Sequence, residues 1–116
     1  MSPSSASKDP AAELEALDQL MRALDHPSRR RILLVLRFRG GNMTAGDIAK
    51  RFSCSWPSTT RHLKVLLAAG LLRLERQGRE RRYHLDPEAL APLERWLRWF
   101  GESPPGDPPA EADAER

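Results

Sequence analysis

The segment SCSWPSTTRHLKVLLAAGLL, residues 53–72, has the pattern of a helix with two different faces. Ser55 is typical of a helix N-cap, and Gly70 is typical of the residue that ends a helix. Between them, helical spacing directs four residues toward the rest of the protein: Thr59, Leu63, Leu66 and Leu67. The opposite side and its borders carry mainly hydroxyl and basic residues: Pro57, Ser58, Thr60, Arg61 and Lys64. One face therefore suits a protein core, and the other suits an external polar partner.

The elements before this helix are bounded by recognisable residues. Leucines at helical spacing predict a first helix over about 11–24, and Asp25-His26-Pro27 separates it from a second helix. The second helix contains RRRILLVLRF and ends at Gly40-Gly41. Thr44-Ala45-Gly46-Asp47 has the form of a capping box and predicts a short third helix through Phe52.

The elements after this helix complete the order α-α-α-α-β-β-α. Four apolar residues alternate with polar ones around Gln77-Gly78 and predict a two-stranded hairpin: Leu72, Leu74, Tyr83 and Leu85. Asp86-Pro87-Glu88 then begins a final helix that continues to about Phe100. The pattern predicts a mainly α fold with a small β-hairpin, a winged helix-turn-helix, over residues 11–100. Residues 1–10 and 101–116 are rich in Ser, Pro and acidic residues and are predicted to be disordered tails.

Charge is distributed unevenly along the 116 residues. Residues 22–98 hold 17 Lys and Arg against 7 Asp and Glu, a net charge of +10. The two ends together hold 2 basic and 9 acidic residues, a net charge of −7. A basic centre indicates a polyanionic partner. An arginine-rich surface with no such partner is the alternative.

The chain has one cysteine, lacks a stretch of about 20 apolar residues and begins without an apolar signal core. We therefore expect a cytoplasmic protein with no membrane partner.

Four segments carry a resemblance to a known family: LDHPSRRRILLVL, TAGDIAKRF, RHLKVLLAAGLL and RQGRERRYHLDPEAL. Together they resemble the ArsR-type winged helix-turn-helix transcriptional repressors, over about residues 17–100. The resemblance implies a homodimer that binds an imperfect palindrome in a promoter, usually its own, and blocks transcription.

Ten residues are the candidate contacts to double-stranded DNA. Hydroxyl groups can bond phosphates or base edges, and Arg61 can form a bidentate contact with guanine. The arginines of the hairpin suit phosphates or the minor groove, although Glu75 and Glu80 offer them cross-strand pairing instead. The predicted contacts are Ser55, Trp56, Pro57, Ser58, Thr60, Arg61, His62, Lys64, Arg79 and Arg81.

Two of these residues have alternative interpretations. Trp56-Pro57 departs from the small polar pair common in the family, so Trp56 either contacts thymine methyls or sugars or packs beneath its own helix. His62 serves either helix packing or phosphate contact.

The terminal helices are predicted to form the dimer interface. Leu90, Leu93, Leu97 and Phe100 are spaced three, four and three apart, which is coiled-coil spacing. Leu90 and Leu93 also suit the core of a single chain. In the resembling family these two helices dimerise, which implies an interface of Leu14, Leu17, Met21, Leu93, Trp96, Leu97 and Phe100.

No sensor motif identifies an inducer. The three histidines lie in separate elements without ligand spacing, so neither a metal nor another cofactor is expected. Cys54 is either a small apolar residue or a redox-active thiol. Catalytic arrangements of nucleophile and base are absent, so the protein is not expected to be an enzyme. The alternatives to a repressor are a winged-helix protein–protein module and a redox- or ligand-responsive regulator.

Overall fold

The computed structural model describes residues 9–52 and 55–101, so Cys54 and most of both predicted tails lie outside the described residues. The helices and strands follow the predicted order with one addition, a first strand. They are α1 Pro10–Ala23, α2 Pro27–Phe38, β1 Asn42–Thr44, α3 Ala45–Arg51, α4 Trp56–Ala68, β2 Leu72–Gln77, β3 Glu80–Leu85 and α5 Ala91–Gly101, with a 3-10 turn, Pro87–Leu90, before α5. Pro10 and Gly101 belong to helices, which corrects the predicted ends of the two tails.

The helices begin where the sequence supplies a side-chain acceptor. Thr44 Oγ1 accepts a hydrogen bond from the Asp47 amide at 3.1 Å, and Ser55 Oγ accepts one from the Ser58 amide at 3.3 Å. At the other end of α4, Gly70 adopts a φ of 79°, a left-handed conformation that favours glycine. The Leu71 amide then bonds to the Leu66 carbonyl at 3.0 Å and closes the helix. The predicted limits of α4 are thus confirmed.

The sheet has three antiparallel strands in the order β1-β3-β2. The hairpin of β2 and β3 is confirmed, with Leu72 opposite Leu85 and Leu74 opposite Tyr83. The strand β1 is not predicted from the sequence, because three residues between a glycine and a helix cap are too few to show alternation. Met43 pairs with Tyr83, so β1 places the start of α3 beside the hairpin, hereafter the wing.

The core lies between α1, α2, α3, α4 and the inner face of the sheet. Its completely buried members include Ile32, Leu36, Ile48, Leu63, Leu66 and Leu71. Thr59 is the buried polar residue of α4, and its hydroxyl donates to the Ser55 carbonyl at 3.0 Å. Among the described residues, none of the helices has the length and apolar character needed to span a bilayer.

Arg29 connects the end of α1 with α4. Its Nε donates to the Ala23 carbonyl at 2.6 Å, and its Nη2 donates to the Arg22 carbonyl at 3.3 Å. Its Nη1 lies 3.3 Å from Nδ1 of His62 on α4. The last carbonyls of a helix lack partners within the helix and favour a nearby cation. Arg29 thus satisfies these carbonyls and fixes α4 relative to them.

Arg29→Ala should lower the free energy of unfolding by about 2 kcal/mol, because the part-buried Ala23 carbonyl and His62 ring and the exposed Arg22 carbonyl all lose a charged donor. Arg30→Ala is the matched control. Its guanidinium donates to the Leu24 carbonyl at 2.7 Å in an exposed position, so its loss should cost less than about 1 kcal/mol. Urea denaturation of both variants measures the difference, and equal losses would contradict the role of Arg29.

Candidate nucleic-acid interface

The two faces of α4 are separated in the structure as the sequence predicts. Thr59, Leu63 and Leu66 are buried, and the helix packs against α2 and β2. The side chains of Pro57, Arg61 and Lys64 are exposed and follow each other at spacings of four and three, so they form one ridge. Ser58 and Thr60 are half-buried along the edges of the helix, and Ser55 is exposed at its start. The ridge presents two positive charges and no acidic residue.

His62 lies on the side of α4 that faces α2. Its ring stands 4.4 Å from the ring of His26, centroid to centroid, and its Nδ1 faces the Arg29 guanidinium. A guanidinium only donates hydrogen bonds, so Nδ1 is the acceptor and the ring is neutral with its proton on Nε2. Burial lowers the pKa of His62 from its ordinary value, and the charges of His26, Arg29 and Arg61 lower it further. The structure thus favours the helix-packing role of His62 over DNA contact.

The outer face of the wing is occupied by internal pairs. Arg82 donates to Glu80 at 2.8 Å and to Asn42 at 2.7 Å. His84 Nε2 lies 2.7 Å from Glu75, and the hydrogen bonds from His84 and Gln77 lower the pKa of the Glu75 carboxyl. The two acidic residues therefore pair with Arg82 and His84.

Arg79 and Arg81 differ from Arg82. Within residues 9–52 and 55–101, no hydrogen bond or ion pair engages either guanidinium, and Arg79 is exposed at the tip of the wing. Both therefore keep their donors available for an external anion.

A cleft of about 380 Å³ separates the start of α4 from the wing. The Trp56 side chain, 43% exposed, forms one wall of this cleft, hereafter the wing cleft. The other lining residues are Thr44, Ala45, Gly46, Arg79, Glu80 and Arg81. Trp56 therefore stands between α4 and the wing and is not buried beneath its own helix. Thr44 and Gly46 are not predicted at this site from the sequence, because the pairing of β1 with β3 brings them to the wing.

The predicted dimer residues divide into two groups. Leu17 is 7% exposed and therefore covered within a single chain, and Leu93 is partly buried against the core. The remaining five are exposed on α1 and α5: Leu14, Met21, Trp96, Leu97 and Phe100. Trp99, 58% exposed, adds to their apolar area. Arg95 Nε donates to Glu13 at 2.6 Å, which holds α5 against α1 and raises the pKa of Arg95. Burial of Leu17 removes it from the predicted interface surface.

In the described part of the chain, His, Cys, Asp and Glu do not form a group of three or more suited to a metal ion.

Comparison with known proteins finds relatives of the same architecture. A family profile described as a helix-turn-helix domain matches residues 24–75. The transcriptional repressor SdpR of Bacillus subtilis is 37% identical over 84 residues, which cover 72% of this chain and 91% of SdpR. The crystal structure of an ArsR family transcriptional regulator is 30% identical, with a TM-score of 0.67 over 88% of this chain and 94% of that one.

A further solved structure shares the fold. It is the homodimeric winged helix-turn-helix DNA-binding domain of a possible ArsR-family regulator from Mycobacterium bovis. Its identity is 24% and its TM-score 0.62, covering 78% of this chain and 82% of that domain.

His62→Asn should reduce the loss of stability in acid. Because folding lowers the pKa of His62, the imidazole binds a proton more readily in the unfolded chain than in the folded protein. Stability therefore falls as the pH drops below 6.5, until the pH passes the lowered pKa of the folded state. Asparagine keeps an acceptor for Arg29 and does not titrate. Urea denaturation between about pH 8 and pH 5 should show a flatter profile for the variant; parallel profiles would contradict the assignment.

Proposed function

Because the chain belongs to the ArsR family of winged helix-turn-helix transcriptional regulators, we propose that it acts as a homodimeric repressor of a palindromic promoter operator. Membership makes the protein a DNA-binding transcriptional regulator and not an enzyme. The proposal adds the dimer, the operator symmetry, control of its own promoter and the residues that contact DNA.

The main support for the proposal is the exposed basic ridge of α4. A helix that buries Thr59 and Leu63 while exposing Arg61 and Lys64 is suited to enter a major groove with its basic side. Arg61 is the candidate for base recognition, since no described residue forms a hydrogen bond or ion pair with it. Ser58, Thr60 and Lys64 border it and suit phosphates or base edges.

If this fold served as a protein–protein interaction module, the exposed face of α4 would be expected to be apolar and uncharged. Interfaces between proteins concentrate aromatic and apolar residues at their centre and exclude charge there. Here Arg61 and Lys64 are exposed on α4, and the exposed apolar residues lie chiefly on α1 and α5. The charge pattern therefore favours nucleic acid as the partner of α4 and a protein as the partner of α1 and α5.

A second copy of the chain is the proposed partner of α1 and α5. Six large apolar side chains are between 39% and 73% exposed there: Leu14, Met21, Trp96, Leu97, Trp99 and Phe100. Trp96 and Phe100 contact each other edge to face at 5.0 Å, which gives the surface a continuous aromatic part. Patches of this kind mark interaction sites in soluble proteins. A two-fold dimer then presents two copies of α4 to successive major grooves, about 34 Å apart.

Arg61→Ala and Arg79→Ala should weaken DNA binding in different ways. Loss of a guanine contact should relax preference at one base position per half-site and cost about 1–3 kcal/mol at that position. Loss of a wing contact to the backbone should weaken all duplexes alike. Titrations on an operator selected from random sequence, on single-base variants of it and on unrelated duplex measure both effects.

The wild-type protein is the reference for these titrations. Its log affinity should fall with log salt concentration at about −0.9 per phosphate contact, in keeping with the basic centre of the chain. Equal affinity for the selected operator and unrelated duplex, or no response to salt, would contradict the proposed function. The reverse pattern in the two variants would mean that helix and wing are misassigned.

Leu97→Asp should yield a folded monomer with DNA affinity lower by orders of magnitude, because each half-site then loses its neighbour. The side chain is 54% exposed in the single chain, so the charge costs little until a partner covers it. Leu34→Asp on α2 is the matched control, since Leu34 is 55% exposed and lies outside the proposed interface. Light scattering and operator titration should separate the two variants. A wild-type monomer at micromolar concentration that binds one half-site tightly would refute the dimer.

A further inference from the structure

Beyond the core, the inner face of the wing carries one facing pair of arginines. Leu72 and Leu85 face each other across the strands, Leu74 and Tyr83 follow, and the next facing pair with the same orientation is Arg76 and Arg81. The first two pairs pack on the core, whereas Arg81 reaches the wing cleft opposite Trp56. The wing thus extends past the core, and Arg81 lies on the side of it that lines the cleft with the start of α4.

Opposing arginines at this position cost stability in the free protein. Like charges directly across a strand pair repel each other, and here the registered partners are Arg76 and Arg81. Glu80, the acidic residue of the wing cleft, is hydrogen-bonded to Arg82 at 2.8 Å and therefore brings its own counter-charge. Arg79 adds a second cation to the cleft. An anion placed between Trp56 and the wing would relieve the repulsion.

We propose that the wing cleft holds one phosphodiester of the DNA strand that passes between α4 and the wing, with its deoxyribose packed against Trp56. This inference rests on the proposed function, since it assigns a specific part of the DNA to a specific part of the site. Arg79 and Arg81 supply the donors for the phosphate oxygens, and the indole supplies an apolar wall for the sugar. The bond that Thr44 Oγ1 accepts from the Asp47 amide leaves its own hydrogen free to donate to the same phosphate.

The position of Trp56 suits contact with the DNA backbone and not with base edges. Base recognition is proposed for Arg61 on the exposed ridge, whereas Trp56 precedes this ridge and lines the wall that faces the wing. Phosphate and sugar contacts set register and carry no sequence information directly. Trp56 is therefore a positioning residue, and its removal should weaken every duplex by a similar factor.

Gly46 gives a direct probe of the cleft. It lies in the first turn of α3 without a positive φ, and a Cβ added there would meet nothing within 4 Å. Gly46→Asp and Gly46→Asn are nearly isosteric and differ in one charge, carried by a residue that lines the wing cleft. The aspartate should weaken binding of the operator and of unrelated duplex by about tenfold or more through repulsion of the phosphate. The asparagine should bind within about threefold of wild type.

Arg81→Ala tests the phosphate contact, with Arg73→Ala as a control of equal charge on the outer face of β2. The Arg81 variant should make the salt slope less negative by about 0.9 per protomer, whereas the control should change it less. Its thermal stability should stay the same or rise, because the repulsion with Arg76 is removed. Loss of stability in parallel with affinity would overturn the assignment.

Trp56→Ala completes the test on the full-length protein. It should weaken operator and unrelated duplex by the same factor, and replacing operator thymines by deoxyuridine should not reproduce the loss. If deoxyuridine does reproduce it, Trp56 reads thymine methyls and the proposal is wrong. A wild-type protein that binds no duplex refutes the proposed function itself. If wild type binds DNA and both Gly46→Asp and Trp56→Ala bind it equally well, the proposed function stands and the role of the wing cleft is refuted.

A small free anion could occupy the wing cleft in place of a DNA phosphodiester, and the two can be distinguished by fluorescence. Trp96→Phe and Trp99→Phe leave Trp56 as the single tryptophan of the chain, so its fluorescence reports on the cleft. Both substitutions lie in the proposed dimer surface, so the oligomeric state and operator affinity of this variant are first matched to those of wild type. Duplex DNA should change this emission at the concentrations at which it binds, and Gly46→Asp should shift that titration. A change produced by inorganic phosphate at equal or lower concentration than by duplex would mean that the cleft is a small-anion site and would overturn the proposal.

Discussion

Arg29 lies where the end of α1, the start of α2 and the middle of α4 meet, and its guanidinium bonds to groups from two of them. The carbonyls of Arg22 and Ala23 have no partners inside α1, and the His62 ring offers an acceptor on α4. A guanidinium has five donors in a fixed plane, so one side chain can satisfy all three groups and fix their relative positions. The direction in which α4 presents Arg61 follows from that arrangement, since His62 is its neighbour in the chain.

The charged side chains of the wing differ in whether they have a partner within the chain. On the outer face of the wing, Arg82 pairs with Glu80 at 2.8 Å and His84 with Glu75 at 2.7 Å. On the inner face, Arg81 is left opposite another arginine and beside Trp56. Arg61 and Lys64 on the ridge of α4, and Arg79 and Arg81 in the wing cleft, lack a partner among the described residues. In the proposed complex these surfaces meet the DNA together, one reading bases and the other holding the backbone.

The sequence predicts the local features of the fold well, because each depends on neighbours in the chain. The caps at Thr44 and Ser55, the end of α4 near Gly70 and the two faces of α4 are of this kind. The features it does not predict depend on distant contacts. The strand β1 exists through its pairing with β3, and the wing cleft exists because β1 carries Gly46 to the wing. His62 and Leu17 have unremarkable positions in their helices, and only packing shows that one faces α2 and the other is buried.

In the proposed complex, two copies of α4 read a symmetric operator while two wings hold its backbone. Hydroxyl-radical footprinting of the full-length protein on a selected operator tests this most directly, since it reports protection of each sugar. We expect two equivalent protected regions related by two-fold symmetry, centred about one helical turn apart, with further protection on each flank from the wings. A single protected region, or protection spread uniformly along the duplex, would contradict it.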